Sequence, residues 1–142
     1  MITGDLRSKD LLHLPAANCI VTPAAGPDDL PRYFREIHAN ALASPLSRAL
    51  ATSSGEVWQT VRRNRRAKRL DAIRAAVEAV GAPVQATAEA TAMVLRLSGA
   101  DASWPLHDSY GLPLERIPDV IAHTVELIIR DLRTHVTGCT ST

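Results

Sequence analysis

Residues 113–135 read PLERIPDVIAHTVELIIRDLRTH, and their spacing decides the fold. Ile117, Ile121, Thr124 and Ile128 recur at intervals of four, three and four, the period of one helix face. Val120, Val125, Ile129 and Leu132 widen that stripe. A surface helix of a small domain needs an apolar stripe only about 100° wide. This segment therefore carries apolar surface beyond what its own core requires. Upstream, residues 83–98 form a second helical segment, with Ala86, Ala88, Ala90 and Ala92 interleaved with Thr87 and Thr91. Side chains that small admit a close-lying helix from the same or another chain. Between the two lies 99–111, GADASWPLHDSYG, read as a connector whose Trp104, Leu106 and Tyr110 fold back on the bundle.

The remainder of the chain supports helices throughout. Asp28 or Asp29 can N-cap a first helix over 28–43, with Pro31 in its opening turn and Leu30, Phe34, Ile37 and Ala41 on one face. Ser44 caps a short helix that begins at Pro45, and Ser53 or Ser54 caps the next after a break at 52–55. A long helix follows over 56–80, interrupted in its apolar pattern at 64–66, with Gly81 just past its end. The last helix starts near Pro113 or Pro118; a start at Pro118 avoids the lost backbone bond of an internal proline. No strand alternation, hairpin signal or internal repeat occurs. The fold class is all-α, a bundle of about five helices whose last two form a dimeric four-helix-bundle interface. Residues 1–27, broken by Pro15, Pro23, Gly26 and Pro27, read as a poorly ordered lead-in; 28–136 form the domain and 137–142 a flexible tail.

Composition excludes several functions. The chain of 142 residues is one domain's length, and aromatics at 4% leave its core to Ala, Leu, Val and Ile. A net charge of +1 gives no overall attraction to nucleic acid or anionic lipid. No signal-peptide pattern opens the chain and no apolar run reaches about 18 residues. A cytoplasmic location is the expectation, with no membrane partner. Cys19 and Cys139 lie far apart with no metal-ligand spacing.

Candidate chemistry is sparse. Between Glu56 and Arg74 seven basic residues stand against two acidic ones, with Arg62–Arg69 the densest run. It reads either as a solvated, ion-paired helix face or as a contact for an acidic partner or nucleic acid. His123 and Glu126 stand at i, i+3, but no second pair supports a metal site. His38 is either a half-buried core histidine or the polar anchor of a ligand pocket. Trp58 either packs the core or walls such a pocket. A G-x-S-x-G elbow, a Gly-rich phosphate loop and an H-E-x-x-H helix are all missing, so no catalytic residue, cofactor or metal is assigned.

The order of these parts resembles the C-terminal domain of TetR-family transcriptional regulators. The resemblance spans 28–135: PLSRAL at 45–50, the long helix with Val61-Arg62-Arg63 and Arg66, the Ala/Thr-rich helix, WPLHDSYG at 104–111 and the last apolar helix. It implies an all-helical domain that forms a homodimer and binds a small, largely apolar effector, and it implies no enzyme activity. Phe34, His38, Trp58, Val61 and Met93 map onto the implied effector pocket, among the helices at 28–43, 56–80 and 83–98. Ala90, Val94, Ile121, Val125, Ile128 and Leu132 map onto the implied dimer interface. Family members carry an N-terminal helix-turn-helix domain for which these residues leave no room; RSKDLL at 7–12 looks like the segment that closes one. No direct DNA binding is expected from this chain alone. The alternative is an interaction protein, a helical dimer that contacts an acidic partner or nucleic acid through 62–69.

Overall fold

The computed structural model describes residues 21–52 and 55–138, with backbone alone at 50–52, 57, 58, 61, 62, 65, 66, 68, 137 and 138. Among the described residues the fold is all-α. Six α-helices follow in order: α1 (Leu30–Ala43), α2 (Pro45–Thr52), α3 (Glu56–Glu78), α4 (Val84–Arg96), α5 (Ala100–Asp108) and α6 (Ile117–Gly138). The sixth is α5, which forms where the sequence suggests only a connector.

Helix α1 lies along α6, and this pairing is the backbone of the bundle. Its buried residues Leu30, Tyr33, Phe34 and His38 recur at three, one and four, a single helix face. Asp29 stands at the N-cap but spends its carboxylate on Arg32, which donates from Nε and Nη2 at 2.7 Å each, and on the Ala25 amide. The segment before the helix is therefore tied down. A 3₁₀ turn spans Pro27–Asp29, Val21 and Ala24 pack against the core, and Arg32 Nη2 donates to Thr22 O. That part of the expected lead-in is ordered; residues 1–20 lie outside the described residues, as do the tail at 139–142, Cys19, Cys139, Ser53 and Ser54.

In α6 the buried spine is Ile117, Ile121, Val125, Ile129 and Leu132, with Ala122 beside it. It meets Phe34 and Leu30 from α1, Ile73, Ala76 and Val77 from α3, and Ala90 and Val94 from α4 in one cluster. The α6 face is thus rotated by about one residue from the expected one: Thr124 and Ile128 stand at its edge, partly exposed. Pro118 costs nothing here. A 3₁₀ turn over Leu114–Arg116 leads into α6, so proline falls in a first turn whose amides have no intrahelical acceptor.

Glycines with positive φ close the two sharp corners. Gly81 (φ 79°) ends α3, its amide donating to Glu78 O at 3.0 Å; Gly111 (φ 71°) ends α5, donating to His107 O at 3.0 Å. α3 runs continuously through the interruption of its apolar pattern at 64–66; Asn64 and Ala67 are exposed there, and the buried residues among those described are Ile73, Ala76 and Val77.

Candidate ligand and dimerisation surfaces

Of the residues suggested for an effector pocket, Phe34 and His38 lie together in the core and Met93 is exposed. Phe34 is fully buried and His38 is 1% exposed, both on the inner face of α1. The Phe34 ring meets Tyr33 edge-on at 5.9 Å and lies 6.2 Å from His38. Met93 is 56% exposed, beside the groove between α4 and α6. The side chains of Trp58 and Val61 lie outside the described residues.

His38 is the most constrained polar group in the bundle. Its Nε2 lies 2.6 Å from Leu97 O, at the end of α4, while Nδ1 is buried with no partner. Burial pushes its pKa down to about 4; the hydrogen bond to Leu97 opposes this and the nearby Arg69 charge reinforces it. Arg69, from the basic run, donates from Nη1 to Ser98 O at 2.7 Å. Helices α1 and α3 thus both bond to carbonyls that the end of α4 leaves free. Arg69 accordingly has a structural task, while Arg63 is exposed and the side chains of Arg62, Arg65, Arg66 and Lys68 lie outside the described residues. Burial also raises the Tyr33 hydroxyl, against the charge of Arg69.

A second polar arrangement joins α2 to α5. Trp104 is 5% exposed, as its fold-back role requires, whereas Tyr110 is 77% exposed and does not fold back. The Arg48 guanidinium lies 4.8 Å from the Trp104 ring centroid and donates to Asp108 Oδ1 at 2.7 Å. Trp104 Nε1 is buried without a partner. The cation over the indole had no signal in the sequence, because residues 48 and 104 meet only through the packing of two short helices.

Most of the residues suggested for the dimer interface are core residues of the single chain. Ala90, Val94, Ile121, Val125 and Leu132 are 0–9% exposed within the single chain. They hold α4 and α6 to their own core, and of the five Ala90 and Leu132 also reach the groove between those two helices. Ile128 alone of the six stands at the surface edge. The face that is available lies one step round. Met93 and Leu127, 56% and 44% exposed, flank an open groove of about 360 Å³ between α4 and α6. Ala86 and Ala90 floor its α4 side, Thr124 and Ile128 its α6 side, and Glu89, Asp131 and His135 supply its polar groups.

No metal centre takes shape at the paired His123 and Glu126. His123 Nδ1 lies 3.7 Å from Glu126 Oε2, and Glu126 also accepts from Arg130. Among the described residues no three His, Cys, Asp or Glu come together in a metal-binding group, and no helix is long and apolar enough to cross a membrane. Comparisons with protein-family models, with curated proteins and with solved structures find no match to this chain.

Proposed function

We propose that this chain is the dimerisation and effector-binding part of a TetR-like transcriptional regulator. It works in the cytoplasm as a non-enzymatic homodimer that senses a small, largely apolar molecule. The observation that carries this reading is the α4–α6 face. Both helices already give one side to the core, yet Met93, Leu127 and Ile128 form an apolar surface beside it. A two-helix face of this kind is half of a four-helix bundle. The occupant it fits is a second copy. Small Ala86 and Ala90 allow close helix approach, and the apolar centre of the groove is bordered by Glu89, Asp131 and His135, the last two already 3.7 Å apart within the chain. At 22 residues α6 extends about 33 Å, long enough for the roughly 800 Å² per partner that stable pairs bury. Effector binding in such a dimer would alter how the paired helices cross, and that change is the regulatory output.

Light scattering on the purified chain tests the reading. The expected result is twice the chain mass at micromolar concentration, with Met93→Glu and Leu127→Glu each reduced to the monomer while keeping wild-type helical content. A wild-type monomer at all concentrations, or a dimer indifferent to both charges, would sink it.

A further inference from the structure

Helix α2 differs from the other five in what it gives the core. Every other helix buries at least two side chains, Ser103 and Trp104 from the short α5 and three or more from each of the rest. In α2 the described side chains, 45–49, are all half-buried or exposed. Its eight residues make about two turns, a length that does not hold as an isolated helix in water. The first turn is closed locally, with the Ser47 amide donating to Ser44 O at 3.1 Å. The rest of its hold must come from the neighbours it packs on, α5 and α1.

Two contacts reach from α2 to α5, and both belong to Arg48. Its guanidinium carbon lies 4.8 Å from the Trp104 ring centroid, and Nη2 donates to Asp108 Oδ1 at 2.7 Å. Trp104 and Asp108 stand one turn apart on α5, so one cation rests on the indole and is anchored by the carboxylate beside it. The Arg48 and Asp108 side chains are 53% and 35% exposed, so salt screens their pairing as it screens a surface pair. Beneath this cation the indole is buried, and an uncovered ring would gain water at Nε1, which has no partner in the closed arrangement.

We infer that α2 is a cover on α5 latched by Arg48, which opens as a unit while α1, α3, α4 and α6 stay folded and which exposes the Trp104 ring when it opens. The other long helices are joined through buried apolar side chains, whereas α2 is short and its latch is a cation on the surface. Local opening of such an element takes less free energy than opening the bundle. Ionic strength sets the balance, because it weakens the Arg48–Asp108 pair and leaves the apolar core in place. The device uses no residue of the α4–α6 groove, so it operates whether or not two copies pair there.

Amide hydrogen exchange on the full chain tests it, together with acrylamide quenching of Trp104 fluorescence in a Trp58→Phe background, where it is the one tryptophan left. In wild-type protein the α2 amides should exchange at least about tenfold faster than the slowest amides of α1 and α6. Arg48→Met, which keeps an unbranched stem and drops the charge, should speed α2 exchange about tenfold further and raise the quenching of Trp104, with α1 and α6 unchanged. Asp108→Asn should act in the same direction, by about threefold. Sodium chloride at about 0.5 M should speed α2 exchange in wild-type protein but not in Arg48→Met. Exchange of α2 in step with α1 and α6, in wild-type protein or in either variant, would overturn the cover. No change in α2 exchange with Arg48→Met would overturn the latch. Faster α2 exchange without added quenching of Trp104 would mean a fraying helix that covers nothing, and the inference falls.

Discussion

At the scale of single residues, His38 ties structure to pH. Folded, its pKa is pushed down to about 4 from an ordinary 6.5, because burial excludes the charged ring. The unfolded chain therefore binds a proton over a range in which the folded chain does not. Stability is complete above pH 6.5 and falls as pH drops toward 4, by about 3 kcal/mol in all. Urea unfolding at intervals between pH 7 and 4 measures this slope, and the His38 ring proton shift reports the titration directly; His38→Phe should flatten the slope. The other strongly shifted acid works in a separate window. Arg32 and the Ala25 amide hold the Asp29 carboxyl down to about 2 from 3.8, so its contribution disappears only as pH falls below about 4. Phe34, fully buried beside His38, should cost about 3–5 kcal/mol when truncated to Ala, read from the same unfolding curves.

Among the elements, the helices with strong apolar period were legible and the one without it was not. α1 begins at Leu30 with Asp29 as its N-cap residue and ends at Ala43, where the spacing of Leu30, Phe34 and Ile37 puts it. α5 is different. Its nine residues, ADASWPLHD, hold Pro105 in the interior and only Trp104 and Leu106 as large apolar groups, so no period marks a helix. A helix that short is marginal by itself and is held by tertiary contacts, chiefly the burial of Trp104. Trp104→Ala should therefore cost about 3–5 kcal/mol and release the protection of α5 amides in hydrogen exchange before the rest of the bundle opens. The rotation of α6 was illegible for another reason. Residues 120, 121, 125, 128 and 129 are all Val or Ile, so the pattern identifies a helix but not which of two adjacent stripes turns inward. Packing chose Val125 and Ile129 and left Leu127 and Ile128 toward the groove. Corners follow simpler rules. At Gly81 (φ 79°) an added Cβ meets nothing within 4 Å, so Gly81→Ala isolates the backbone cost, about 1–2 kcal/mol in thermal unfolding.

For the whole molecule, the proposed pairing makes stability a function of concentration. If the α4–α6 face closes on a second copy, folding and association are linked, and the dimer unfolds to two chains by mass action. Each tenfold rise in protein concentration should then raise the melting temperature by about 2–4 °C. A monomer shows no such dependence. Leu127→Glu places a carboxylate at a position 44% exposed in the single chain, beside Glu89 and Asp131 of the same groove. In the free chain that substitution keeps its solvent and costs little; in the pair it buries a charge against like charges and apolar neighbours. The expected signature is a variant whose melting temperature equals that of dilute wild-type protein and no longer moves with concentration. A uniform drop that keeps the wild-type concentration slope would instead mean that Leu127 supports its own chain and that the copies, if they pair, meet elsewhere.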